Sequence, residues 1–319
     1  MPFLTGGQSK ATVYANLGAK NVSFDLPFRS ESINPRANTI TSEAILGNRA
    51  IKGATVTTRT YQGSLDIELF DITDSATTPT FKHHLLGFVF YSILGSISSG
   101  TVSLGTSAPK WNYLVIEHGS SSSKLQWKDL YVTGVNVRFP ADGIPTATLD
   151  VLTTGTDDAT ISGYTSVISA SSYASYYNSS HLTLKSVSTS VTSVRNFELS
   201  LNMDTLQATT FGSLDVAEIT PNKLEMAQVN IEFYINSFSD TLYAAVLNTY
   251  NSGAMSTGNI TLEIDSPIKT GTKAILTLVN YYVTELSHDI SGNDYIVCRA
   301  TLQVPADKIT LDGIAFKTA

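Results

Sequence analysis

The chain of 319 residues is 42% hydrophobic and 15% charged, a composition that provides a buried core for one large domain or two average ones. Twenty basic and 27 acidic residues give a net charge of −7, which argues against a protein that binds nucleic acid through a basic surface. The single cysteine, Cys298, excludes an internal disulfide, and no apolar run reaches the roughly 20 residues that cross a bilayer.

Alternating apolar and polar residues predict half-buried β-strands throughout the chain. In chain order, the predicted strands cover residues 11–16, 21–26, 63–69, 131–138, 147–152, 197–202, 229–235, 260–264, 274–283 and 295–304. Their number and spread predict a mainly β fold.

Two segments have the features of helices. The first is predicted over residues 78–92, because Thr78 is a good N-cap and Pro79 suits the first helical position. Its interior is apolar around most of its circumference, so we expect this helix to be nearly enclosed. The second is predicted over residues 239–250 and ends before Gly253. One of its faces carries Leu242, Ala245, Val246 and Thr249.

Short sequence features recur in the same order in both parts of the chain. Phe-Asp-Leu at 24–26 matches Phe-Glu-Leu at 197–199, and Ile-Glu-Leu-Phe at 67–70 matches Ile-Glu-Phe-Tyr at 231–234. A predicted helix follows in each part. Next come Tyr-Val-Thr at 131–133 and 282–284, and Ala-Thr-Leu at 147–149 and 300–302.

This order predicts a duplicated domain, with one large β-sandwich as the alternative. We assign residues 1–160 to a first domain and 181–319 to a second. Residues 161–180 form a connector that we expect to lie against one of the domains, because it is rich in tyrosine.

A long polar segment, residues 29–59, interrupts the first domain. Alternation at 54–58 predicts an extended hairpin, and we interpret it as an arm that packs on a neighbouring subunit. A solvated loop is the alternative. The candidate contact residues between subunits or rings are Arg29, Glu31, Arg36, Glu43, Arg49, Lys52 and Arg59.

Three strings match the order of motifs in serine acyl-enzymes: Ser121 to Lys124, Tyr176 to Asn178, and Lys269 to Gly271. That chemistry needs its serine at the start of a buried helix, one turn from the lysine. Here the serine lies in a polar loop that leads into a predicted strand. We therefore predict that the protein is not an enzyme.

The histidines and the cysteine indicate no metal or cofactor site. His83 and His84 are adjacent on the predicted first helix and therefore point about 100° apart, which favours a surface or interface role over ligation. The other three histidines are scattered singly. Cys298 has strand-forming neighbours and is predicted to be a small buried hydrophobe.

Residues 24–34, 40–49 and 63–69 together resemble the tail tube proteins of long-tailed bacteriophages. In that family, a strand leads into a long loop with a Ser-Glu-x-Ile motif and a basic residue, and returns as a Gly-Ser-x-x-x-Glu strand before a helix. The resemblance implies two tandem β-sandwich or barrel-like domains, each flanked by one α-helix. It also implies sheets that continue into neighbouring subunits around a lumen.

By the same resemblance, the chain is expected to form stacked rings, trimeric with pseudo-sixfold symmetry, that build the tube for DNA ejection. The implied partners are other copies of the chain and the tape-measure, tail-tip and tail-terminator proteins. Double-stranded DNA would pass without specific binding, and no membrane or cofactor is implied. The implied location is the virion tail, assembled in the bacterial cytoplasm, in keeping with a start that lacks a signal-peptide pattern.

Other interpretations remain open at this stage. A net charge of −7 fits an acidic lumen that repels phosphates, and it fits ordinary solubility equally well. A secretion-system tube protein would share the architecture. A two-domain β-sandwich adhesin or carbohydrate-binding protein would share the strand content and the tyrosines.

Overall fold

The computed structural model describes residues 9–17, 20–41, 54–72, 82–118, 124–186, 189–191, 194–210, 213–235, 237–289 and 296–316. It confirms the predicted mainly β fold with two helices. Each of the ten predicted strands overlaps an observed strand. Neither helix is long and apolar enough to span a bilayer, as judged over these residues.

Residues 9–156 are called the first half of the chain. Its elements are β1 (Ser9–Leu17), β2 (Lys20–Leu26), β3 (Phe28–Glu31), β4 (Asn34–Thr41), β5 (Ala54–Glu68), β6 (Phe70–Ile72), α1 (His84–Leu94), β7 (Gly95–Ser98), β8 (Thr101–Leu104), β9 (Lys110–His118), β10 (Lys124–Pro140) and β11 (Thr146–Thr156). Residues 157–181 follow as a connecting segment with β12 (Thr165–Ile168) and β13 (Tyr173–Tyr176).

Residues 182–316 are called the second half. Its elements are β14 (Leu182–Ser186), β15 (Thr189–Ser190), β16 (Val194–Ala208), β17 (Glu218–Leu224), β18 (Ala227–Tyr234), α2 (Ser237–Ser252), β19 (Ser256–Asp265), β20 (Lys273–Asp289), β21 (Val297–Val304) and β22 (Ile309–Asp312).

One antiparallel sheet, called the long sheet, runs through both halves in the order β3–β5–β11–β10–β16–β18–β21–β20. Two further sheets pack beside it: β12–β2–β1–β9–β10, and β15–β14–β19–β20–β22–β8–β7. Over the described residues the pairings branch and do not close into a ring.

The two longest strands, β10 and β20, each contribute to two sheets. The beginning of β10 pairs with β9, and its end pairs with β16. The beginning of β20 pairs with β19, and its end pairs with β21. These strands therefore hold the long sheet against the other two, and the apolar side chains between the sheets form one core that spans both halves.

Helix α1 begins later than predicted, at His84. His83 has left-handed backbone angles (φ 46°, ψ 43°), so a helix cannot run through it, and Gly95 ends the helix. The predicted start at Thr78 and Pro79 lies outside the described residues. As predicted, the helix is enclosed, since every residue except Tyr91 is buried.

The surface or interface role predicted for His83 and His84 is wrong, because both side chains are fully buried within the chain itself. His83 lies before the helix, and its Nδ1 forms a hydrogen bond of 2.9 Å with the Tyr177 hydroxyl. The His84 ring packs edge-on against Phe24 and Phe316. Phe316 is 232 residues away in the chain, so the local sequence around His84 carries no sign of this cover.

Helix α2 covers Ser237–Ser252, a little longer than predicted. Leu242 is fully buried and Ala245 and Val246 are partly buried against the core, which confirms the predicted inner face at these three positions. The side chain of Thr249 lies outside the described residues. Cys298 is buried as predicted, and burial raises the pKa of its thiol to about 11.

The connecting segment packs on the first half, as its tyrosines indicated. The Tyr173 hydroxyl donates to the Asp25 carbonyl at 2.5 Å, and the Tyr164 ring meets the Tyr14 ring edge-on. Tyr177 is fully buried against His83. This segment therefore adds to the core of the first half.

Burial also makes His83 a pH-sensitive position. It lowers the pKa of His83, although the carboxylates of Asp71 and Asp265 oppose the shift and Lys82 adds to it. Below about pH 6.5 the unfolded chain binds a proton at this histidine that the folded chain does not bind. We expect the free energy of unfolding to fall as the pH drops from about 6.5 toward the lower pKa of the folded state.

Urea unfolding of the wild type and of His83→Gln, between about pH 7.5 and about pH 5.5, checks this expectation. The variant should lose part of the pH dependence. His288→Gln, at an exposed histidine, should keep it. Equal pH slopes in the wild type and His83→Gln would contradict the prediction.

Candidate assembly interface

The strands β10 and β16 join the two halves at the middle of the long sheet. Seven residue pairs are in register, from Gly134 opposite Asn202 to Pro140 opposite Asn196. Side chains reinforce the pairing, since the Asn136 amide donates to Glu198 at 2.7 Å and to the Ser200 hydroxyl at 3.0 Å. We call this pairing the internal junction.

The long sheet ends in two unpaired edges within the described part of the chain. At one end, β3 pairs with β5 alone, and at the other, residues 285–289 of β20 pair with β21 alone. Arg29, Ser30, Glu285 and Asp289 are exposed along these edges. An edge strand presents free N–H and C=O groups, so each edge can accept a strand from another chain.

Each half also carries a hairpin arm beside its part of the long sheet. The first arm pairs β4 with β5 from Asn34 opposite Gln62 to Thr41 opposite Ala54, which confirms the predicted hairpin. The second, shorter arm pairs the end of β16 with β17. It packs on the first half, where Val216 and Ile219 bury Leu152.

The two arms meet and enclose a polar cleft. The Arg59 amide donates to the Leu214 carbonyl at 2.6 Å, which ties the first arm to the second. A cleft of about 560 Å³ lies between them, with Arg36, Asp150 and Asp204 as its charged lining residues. Partial burial, and then the charge of Asp66, raise the pKa of Asp150.

The face of the long sheet that points away from the core is polar. Core residues such as Leu149, Val137 and Leu199 alternate along their strands with polar ones. The polar positions of this open face include the acids Asp66, Glu68, Asp150, Glu198, Glu232, Glu285 and Asp289, and the bases Arg138 and Arg299. Arg29 and Arg195 lie at bulges beside Glu68 and Glu232.

Hydrogen bonds connect these side chains across the strands. Asp66 accepts from the Ser30 hydroxyl at 2.7 Å and from the Thr148 hydroxyl at 2.6 Å. Glu232 forms one ion pair with Arg195 at 3.0 Å and another with Arg299 at 3.3 Å. The open face is therefore ordered, with more acids than bases.

Four of the seven predicted contact residues are described. Arg29 and Glu31 lie on the β3 edge, and Arg36 and Arg59 lie on the first arm. Glu31 accepts from the Ile33 amide at 2.9 Å, and the Arg29 guanidinium lies 3.7 Å from Glu68. Glu43, Arg49 and Lys52 lie outside the described residues. Contact with another subunit stays a prediction for all seven.

The positions at the internal junction and at the β20 edge were not among the sequence candidates. A signal for β10 and β20 exists, because each is a 17-residue alternating segment, three times the usual strand length. Such length indicates a strand shared between two sheets.

The described residues of the acyl-enzyme motifs lie in strands, a loop and a turn, and none lies in a helix. Lys124 begins a β-strand, Tyr176 ends another, and Lys269 lies in a turn. Ser121 lies outside the described residues. Among the residues that the structure describes, no group of three or more histidine, cysteine, aspartate or glutamate side chains could hold a metal ion.

A comparison with models of protein families assigns the chain to a family. Residues 5–312 match the family described as phage tail tube protein. The chain belongs to the phage tail tube family. No curated relative matches it.

Membership of the tail tube family fixes the broad role of the chain. It is a structural protein of the phage tail that assembles with itself into a tube. This role favours assembly over catalysis, and over the adhesin or carbohydrate-binding alternative. The open edges of the long sheet and the two arms are therefore candidate surfaces for contact between copies.

Proposed function

We propose that three copies of the chain form a ring with pseudo-sixfold symmetry, and that stacked rings form the tube through which DNA is ejected. One observation carries the proposal: the internal junction joins two similar halves and leaves the corresponding edges unpaired at both ends of the long sheet. The similarity of the halves supports a domain duplication, with a boundary near residues 160–180.

The order of elements supports the duplication. In each half a hairpin, the first strand of that half's part of the long sheet, an arm, a helix, a long strand shared by two sheets and its partner follow one another. The strand registers agree as well. Ala147 lies opposite Ile67 in the first half, and Ala300 lies opposite Ile231 in the second.

Each shared strand also contains one bulge, and the two bulges lie two residue pairs apart when Ala147 is matched to Ala300. Thr133 and Thr284 are both extra residues in their strands. The hydroxyl of each donates to a carbonyl of the facing strand, at 3.3 Å to Asp150 and at 3.1 Å to Thr301. Both threonines end the Tyr-Val-Thr match.

The registers also define which strands correspond at the edges. Val137 lies opposite Ala147 and Leu286 lies opposite Ala300, so the end of β20 corresponds to the end of β10. Leu65 and Val229 correspond, because each lies two residues before the matched Ile67 and Ile231. Glu31 lies opposite Leu65, and Leu199 lies opposite Val229, so β3 corresponds to β16. The β20 edge of one copy and the β3 edge of the next therefore match the two sides of the internal junction.

Repeating the junction between chains gives a specific register. Since Val137 pairs with Leu199 inside the chain, Leu286 should lie opposite Glu31 of the next copy. Ser287 should then lie opposite Ser30. Three copies, each with an eight-stranded long sheet, would close a ring and leave no exposed edge of the long sheet.

Charge complementarity supports the same contact. The β3 side of the long sheet exposes Arg29 and Arg36, and the β20 edge exposes Glu285 and Asp289. Opposite charges on two edges favour their association and set its register, and salt weakens them. The predicted contact residues Glu43, Arg49, Lys52 and Arg59 would act farther along the first arm, between subunits or rings.

The open face of the long sheet would line the lumen in this ring. Its acids outnumber its bases, so it would repel DNA phosphates and let the duplex slide without specific binding. Tape-measure, tail-tip and tail-terminator proteins would act at the inside and ends of such a tube. Assembly would take place in the bacterial cytoplasm before the tail joins the virion.

Electron microscopy of the purified protein, concentrated at low and at high salt, tests the proposal. We expect three-lobed rings or hollow tubes, and fewer of them at high salt because the edge charges are screened. Mass photometry gives the number of chains in each ring. Strictly monomeric particles at high concentration, or rings of six chains, would contradict it.

A further inference from the structure

One exposed side of α2 carries a stripe of apolar side chains. Tyr243, Leu247 and Tyr250 are 57%, 44% and 87% exposed. Their spacing of four and three residues places them along one side of the helix, about 100° around its axis from the buried Leu242. We call these three residues the α2 stripe.

The composition of α2 does not suit a helix that faces water. Asp240 is its only charged residue in sixteen. A helix on the surface of a soluble domain ordinarily has charged and polar residues on its outer side. An apolar outer side indicates a surface that another protein covers.

Helix α1 holds the corresponding place in the first half, and its outward side is covered. It follows the arm and precedes the shared strand β10, as α2 precedes β20. The cover comes from the end of the second half. Phe316 packs edge-on against His84 and Tyr91 at ring distances of 5.5 Å, and Ile314 lies against Gly87.

The covering segment is held in place by strand pairing. Just before it, β22 pairs with both β20 and β8, so it connects the second half to the hairpin that follows α1. Lys82 and Ala315 exchange two backbone hydrogen bonds of 2.8 and 3.0 Å. The cover of α1 is therefore part of the contact between successive halves.

We propose that the α2 stripe is covered by the first half of the next copy of the chain in the same ring. The inference rests on the proposed function, because it treats the contact between chains as a repeat of the contact between halves. Within one chain the second half covers α1. In a ring the half that follows α2 belongs to the next copy, so that copy covers the stripe.

Charge substitution in the stripe tests the proposal. Leu247→Glu with Tyr250→Glu should raise the concentration needed for ring formation at least tenfold, since charges would be buried in the contact. Ile268→Glu is the matched control, because Ile268 is 39% exposed in the turn between β19 and β20. Circular dichroism and thermal unfolding verify that both proteins fold.

A cross-link identifies the occupant without disturbing the fold. Rings of Tyr250→p-benzoylphenylalanine, prepared from a mixture of ¹⁴N and ¹⁵N chains and irradiated, should give mixed-isotope peptides that join position 250 to residues 9–156. Links confined to one chain, links to the second half, or links that form only in stacked rings would overturn the inference.

The outcomes separate this inference from the proposed function. A wild type that stays monomeric at high concentration overturns both. A wild type that forms trimeric rings, with stripe variants that assemble equally well, overturns the α2 inference and leaves the ring standing.

Discussion

Oxidation of a chain that carries Ser30→Cys and Ser287→Cys should yield covalently closed trimers. Inside the chain, the corresponding residues Glu198 and Arg138 lie directly opposite each other at the internal junction. Opposite residues of an antiparallel pair have Cα atoms roughly 4.5–5.5 Å apart, which suits a disulfide. If β20 pairs with β3 of the next copy in the same register, each ring holds three such bonds.

Denaturing gel electrophoresis under non-reducing conditions reads out the result as a ladder that stops at three chains. Ser32→Cys with Ser287→Cys is the matched control, since it moves one partner two residues along the strand and should link poorly. Each single variant controls for Cys298, which is buried and has a pKa raised to about 11. A ladder that ends at two or continues to six would contradict the proposed ring.

Charge reversal on the open face should make the tube bind DNA, which the wild-type tube is expected to pass without binding. Asp150→Lys with Glu198→Lys changes the net charge of the chain from −7 to −3 and places the new charges on the proposed lumen wall. Lysines there would contact phosphates and release counterions, so binding should be strong at low salt and fall steeply as salt rises. We expect at least a tenfold gain in DNA retained by tubes at low salt.

Retention of a fluorescent duplex by sedimented tubes measures this effect, after electron microscopy has shown that the tubes are intact. Asp158→Lys with Asp307→Lys makes the same change in net charge at exposed positions outside the long sheet. These control tubes should retain no more DNA than the wild type. Equal retention by both variants would mean that the open face does not line the lumen.

The strands and the first arm were predictable because their signal is local. A strand with one buried face must alternate apolar and polar residues, as β11 does with Ala147, Leu149 and Val151 inside. The arm was identified in the same way, by a polar segment that keeps the alternation of a strand. Such patterns state which face is buried, and they do not state which strand lies alongside.

Two of the failures involve contacts between residues far apart in the chain. The sequence comparison matched Phe24 to Phe197. The strand pairing instead matches Phe28 to Phe197, because Phe28 lies opposite Ile67 and Phe197 lies opposite Ile231, the residue that corresponds to Ile67. A bulge at Arg29 shifts the register, and no three-residue match records that shift. In the same way, the burial of His84 depends on Phe316. The start of α1 has a local cause, the left-handed backbone conformation of His83.

The proposed assembly surfaces were predictable from the sequence only in part. Charged residues in a long polar segment drew attention to Arg29, Glu31, Arg36 and Arg59, because an acidic chain concentrates its basic residues there. The β20 edge gives no comparable signal. Residues 285–289 have the sequence of an ordinary strand, and only the pairing order of the long sheet shows that one side of it is open.

The internal junction has a kinetic consequence for growth of the tube. A ring of six separate domains needs six molecules to meet, and its rate of nucleation depends on a high power of their concentration. Here the two similar halves already share one chain and hold each other at a high effective concentration. In the proposed ring, three collisions fewer are needed, so tubes can start at a chain concentration where unfused domains would stay apart.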